Sequence, residues 1–183
     1  MRKLIISLAL LLFISISVQS QNSTNETYMH DKLSFGLGAG LDFGGFGGNL
    51  LFYPQKNVGL FAGAGYAIAG FGYNFGAKIR FVKEDQQPKI APYITAMYGY
   101  NAAIAVTNAT DFNKLFYGPS FGAGVDFKSK PEAKGYWTMG LLIPLRSADV
   151  DDYMDDLEDN HGVEFKSGLL PIAISVGYRF VIN

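Results

Sequence analysis

Ile172-Ala173-Ile174-Ser175-Val176-Gly177-Tyr178-Arg179-Phe180 alternates without a break near the end of the chain. Ile172, Ile174, Val176, Tyr178 and Phe180 share one side; Ala173, Ser175, Gly177 and Arg179 share the other. A period of two marks a β-strand, here with one bulky apolar face and one tiny or charged face. A soluble strand would turn the bulky face into a core. The same pattern recurs along most of the chain behind a secretion signal, so the bulky face belongs on the outside of a barrel.

Met1-Arg2-Lys3 followed by a largely apolar run from Leu4 to Val18 has the form of a signal peptide. Ser7, Ser15 and Ser17 interrupt that run, which is too short to span a membrane. Cleavage is expected after Ser20, giving a signal peptide over 1–20, a polar leader over 21–32 and one barrel domain over 33–183. The absence of cysteine excludes disulfides, thiolate metal sites and lipid attachment through an N-terminal Cys. With 15 basic against 16 acidic residues there is no basic stripe for nucleic acid. The chain is 49% hydrophobic and 15% aromatic with 22 glycines, yet no segment after the leader is a continuous apolar helix span. A membrane could be crossed only by strands.

Eight strands are expected. Strand one runs over Leu33–Phe43, with Leu33, Phe35, Leu37, Ala39, Leu41 and Phe43 outward, and Gly44–Gly48 forms its turn. Strand two, near Asn49–Pro54, is short, and Gln55–Asn57 turns it back. Strand three covers Val58 to about Ala69, with Phe61 against the alternation, and strand four covers Tyr73–Val82. Strand five, Lys89–Asn101, is ambiguous in its facing, because Tyr93 and Met97 oppose Ile94, Ala96 and Tyr98. Strands six and seven cover Phe116–Lys128 and Gly135–Arg146, and strand eight covers Gly168–Ile182. The longest connections, 102–115 and 147–167, then fall at one end, and both termini fall at the other. Pro119, Pro144 and Pro171 are placed at the rim that carries the long loops, where a missing N–H is tolerated. Strands of about ten residues suit a membrane crossing.

Together these elements predict an eight-stranded antiparallel up-and-down transmembrane β-barrel. The small-residue face carries Asp42, Lys78, Arg80, Asp126 and Arg179. Buried charges persist when paired, so these five are the candidate lumen charge network. Inward glycines leave room for larger lumen side chains, and an eight-stranded interior is normally filled. A wide pore is therefore not expected.

The architecture from Leu33 to Asn183, and above all the terminal Gly177-Tyr178-Arg179-Phe180, resembles the small eight-stranded outer-membrane barrels of the OmpA transmembrane-domain and OmpX type, within the porin-like barrels. The resemblance implies an outer-membrane location with periplasmic termini, contact with outer-membrane lipids, and delivery by the barrel-assembly machinery, which reads a last strand ending in an aromatic residue. Here Val181-Ile182-Asn183 follows Phe180, a departure from that pattern. Relatives of this kind serve envelope integrity, adhesion or surface binding through extracellular loops; a few modify lipids. The alternatives are such a lipid-modifying enzyme and a secreted soluble barrel holding an apolar ligand.

No cofactor is expected. His30 lies in the leader, and His161 follows Asp159 and Asn160 in a loop without a visible catalytic constellation. The acidic run Asp149 to Asp159 lacks the spacing of a calcium loop. Val150, Tyr153, Met154 and Leu157 fall instead at i, i+3, i+4 and i+7, which predicts a short amphipathic helix with its acids in water.

Overall fold

The computed structural model describes residues 31–82, 89–106, 109–129, 133–165 and 168–182. The expected signal peptide, the expected leader up to His30 and the expected turn at 83–88 lie outside them. Eight antiparallel strands close into one ring in chain order: β1 (Leu33–Gly40), β2 (Gly45–Gln55), β3 (Val58–Ala67), β4 (Gly70–Arg80), β5 (Ile90–Ile104), β6 (Lys114–Phe127), β7 (Gly135–Pro144) and β8 (Ala173–Val181). Closure comes from β1 pairing with β8, Phe35 opposite Phe180. One 14-residue helix, α1 (Ala148–His161), lies between β7 and β8.

The alternation sorts side chains the reverse of a water-soluble barrel. Leu50, Phe75, Phe121, Leu141 and Ile174 face outward and are exposed, whereas Asn49, Asn74, Lys78, Arg80, Asp126 and Arg179 are buried inside. Such an outer wall is stable against hydrocarbon, and a closed ring leaves no ladder edge unpaired in lipid. In β5 the ambiguity resolves. Ile94, Ala96 and Tyr98 face out, while Tyr93 and Met97 point inward.

The first hairpin departs from expectation. β1 stops at Gly40, and Leu41–Phe43 forms a single 3-10 turn inside the bore; Leu41 and Phe43 are buried rather than outward. The glycines at 44–48 are not the turn either, since β2 begins at Gly45. The cause is local. Gly40 at φ 142° and Gly44 at φ 71° let the chain fold inward and return, conformations that side chains resist. A Cβ on Gly47 would stand 2.5 Å from the Phe43 carbonyl oxygen, and one on Gly63 would strike the Asp42 carbonyl. These glycines make room for backbone, not only for side chains.

Pro119 also differs from its expected place. It lies six residues into β6 rather than at a strand end. Its carbonyl accepts from Leu145 N at 2.9 Å, just where β7 ends. The return bond that its missing N–H cannot make is supplied by Asn101, whose Nδ2 donates to the Leu145 carbonyl at 2.9 Å. Pro144 and Pro171 each fall two residues beyond the last β7–β8 rung, Leu142 opposite Ala173, where that ladder stops.

One end of the ring carries the 55–58 turn and both ends of the described chain. The other carries the inward turn, the extended β5–β6 hairpin and α1. The sequence places the helix correctly: Val150 and Leu157 are fully buried against Ala102, Ile104 and Phe116. Phe116 shares the phase of the inward Ser120, so α1 lies over the mouth of the bore. Gly162 at φ 65° ends the helix, with Val163 N donating back to Leu157 at 3.1 Å.

Candidate functional site: the occupied bore

Nearest the chain termini, the bore holds a compact ionic layer. Asp126, with no exposed surface, accepts from Lys78 Nζ at 2.7 Å and from Arg80 at 2.8 Å. Arg80 also donates to Asp31 at 2.9 Å and to the Tyr136 hydroxyl at 2.9 Å. Tyr136 in turn donates to Asp31 at 2.5 Å. Two acids and two bases therefore balance within one bonded cluster. Aromatic faces complete the desolvation: the Lys78 ammonium sits 3.6 Å over the Tyr93 ring and the Arg80 guanidinium 4.5 Å over Tyr53. Tyr93 fits because Gly124 and Gly140 stand beneath it; a Cβ on Gly124 would lie 2.5 Å from its ring.

Of the five residues the sequence nominates, Lys78, Arg80 and Asp126 meet directly. Arg179 and Asp42 do not join them. Arg179 donates to Asn49 Oδ1 at 2.7 Å and lies 5.8 Å from the Phe43 ring centre. The Asp42 carboxylate accepts from the Ser175 hydroxyl. Both belong to a second, amide-rich layer around the inward turn. There Asn49 donates to the Asp42 carbonyl, and Asn74 donates to the Leu41 carbonyl at 2.5 Å and to Tyr100 at 3.1 Å. Leu41, Leu51, Tyr53, Phe61, Met97 and Leu142 form the apolar filling between these layers.

Sequence reasoning missed Asp31, Tyr136, Tyr93 and Thr138, whose hydroxyl accepts from Lys78 Nζ at 3.4 Å, as members of the ionic layer. Tyr136 and Thr138 were readable by phase, since they alternate with the outward Trp137 and Met139. Asp31 precedes β1 and sits in the bore only because the chain curls in below Leu33. No alternation signals that.

At the mouth, His161 ends α1 and stacks on Phe112 with ring centres 4.6 Å apart. Asp149, Asp151, Asp152, Asp155, Asp156, Glu158 and Asp159 are all exposed, the wet face of the helix. Among the described residues no group of three His, Asp or Glu side chains is disposed to hold a metal ion. Tyr153 ties the helix down, donating to the Phe112 carbonyl at 2.9 Å. Chemically, the bore is a bonded and filled interior, and the cap is an acidic surface on an apolar base.

No family model and no curated protein matches this chain. Among solved structures, a chain described as "De novo design of transmembrane beta-barrels" superposes with a TM-score of 0.50 at 12% identity, over 86% of this chain and 98% of that one. At such identity the likeness is one of fold: a closed, antiparallel transmembrane-type barrel.

Proposed function

We propose that this chain is an outer-membrane β-barrel without enzymatic activity, serving envelope structure, adhesion or surface interaction through its loop end. The observation that carries the reading is the inverted sorting of side chains around a bore filled by the chain itself. Charge inside and bulk apolar residues outside suit a bilayer, and a filled eight-stranded interior favours a structural or surface role over diffusion. The 55–58 turn and both ends of the described chain share one end of the ring, which we place in the periplasm. The α1 cap and the β5–β6 hairpin then face outward, where an extracellular partner meets an acidic helix. Outer-membrane lipids contact the wall, and the barrel-assembly machinery handles the chain during biogenesis. Nucleic acid is an unsuitable partner for an acidic cap.

Cell fractionation with protease added to intact cells tests this reading. The chain should sediment with outer membranes, and cleavage should fall between Leu145 and Ile172. Recovery in a soluble fraction, or cleavage at the 55–58 turn in intact cells, would overturn it.

A further inference from the structure

We propose that the inward turn Gly40–Gly44 is an internal staple that closes the ring by holding β8 to β1 from inside the bore. The β1–β8 joint unites the two ends of the domain, so its closure confines the longest loop in the chain. It is also short: it pairs Ser34–Ala39 with Val176–Val181, whereas β5 and β6 pair from Ile90 and Phe127 to Ile104 and Lys114. Its inner face is bare at the centre, where Gly36 and Gly38 of β1 and Gly177 of β8 line it. Phe43 supplies the missing bulk. Its ring is fully buried against those three glycines, and a Cβ would lie 3.1 Å from it at Gly36, 2.8 Å at Gly38 and 2.4 Å at Gly177.

Polar bonds converge on the same joint. Ser175 of β8 donates to the Asp42 carboxylate, and Arg179 of β8 reaches Asn49 of β2, which itself holds the Asp42 carbonyl. Three successive inner residues of β8, Ser175, Gly177 and Arg179, therefore rest on the turn or on the side chain that holds it. A tight two-residue hairpin between β1 and β2 would leave the joint hollow.

The chain has no cysteine, so crosslinks can be placed cleanly. Ala39→Cys with Val176→Cys spans the β1–β8 joint on the outer face, and Ala123→Cys with Leu141→Cys spans β6–β7 in the same way. Opposed Cα atoms at about 5.5 Å permit a disulfide at either place. Each pair is refolded into phospholipid vesicles with and without Phe43→Ala, and oxidation is followed in time. The staple predicts that Phe43→Ala slows crosslinking at 39–176 by about tenfold or more, while 123–141 changes less than about twofold. Equal slowing at both joints, or none at 39–176, would overturn it. Should Phe43→Ala fail to fold, Ser175→Ala, which keeps the ring and removes one bond, must still slow 39–176 selectively.

Discussion

The two layers of the bore are closed by different means. Near the ends of the described chain, side chains alternating from β4 and β6 meet as ions: Lys78 and Arg80 on Asp126. Towards the mouth, backbone itself enters the bore, and the amides of Asn49 and Asn74 bind its carbonyls. The ionic layer uses strand geometry as it stands. The amide layer interrupts a strand and needs glycines around it to fit. One is made by regular pairing, the other by an exception to it.

The largest expected effect falls in the ionic layer. Asp126→Ala leaves the buried Lys78 without a counter-ion and Arg80 with Asp31 alone, and should lower unfolding stability in lipid vesicles by about 3–5 kcal/mol. The double replacement Lys78→Met with Asp126→Leu should lose clearly less, because no lone charge is left. A single and a double variant of equal stability would show that the charges are solvated rather than paired.

Next comes the cap. Leu157→Ala removes a fully buried side chain and should loosen α1 by about 2–4 kcal/mol. Proteolysis within 145–172 should quicken while the mobility of unboiled protein in SDS gels stays that of a folded barrel. Joint loss of both would mean that cap and ring are one cooperative unit.

Asn101→Ala should be milder, about 1–2 kcal/mol, because it orphans the Leu145 carbonyl opposite Pro119. Restoring an ordinary rung with Pro119→Val in the same chain should recover most of that loss, which double-mutant stabilities would read. Smallest is Gly162→Ala, about 1 kcal/mol from a left-handed helix end, seen as fraying of α1 alone.

This contrast also explains what was legible in the sequence. Strict alternation announced β4, β6, β7 and β8, and with them the inward phase of Lys78, Arg80 and Asp126. The i, i+3, i+4, i+7 spacing of Val150, Tyr153, Met154 and Leu157 announced α1. Leu41 and Phe43 continue the alternation of β1 in sequence yet lie inside, because Gly40 turns the chain before they are reached. Periodicity reports faces of a strand and cannot report that the strand has ended. The run Gly44–Gly48 misled for a related reason: glycine marks tight turns and close backbone approach alike, and here most of it serves the second. Asp31 lacked any periodic signal, being placed by the curl of chain below β1.

The apolar outside of this ring should lie in lipid. The single tryptophan, Trp137, faces outward near the terminal end, stacked edge-on against Tyr178 at 5.3 Å. Its fluorescence in vesicles of phospholipid brominated either near the headgroup or near the bilayer centre tests the claim without altering the protein. A lipid-facing Trp137 is quenched strongly by the bromines near the headgroup, more weakly by those at the centre, and is protected from aqueous iodide. Quenching by iodide with no response to either lipid would contradict that placement.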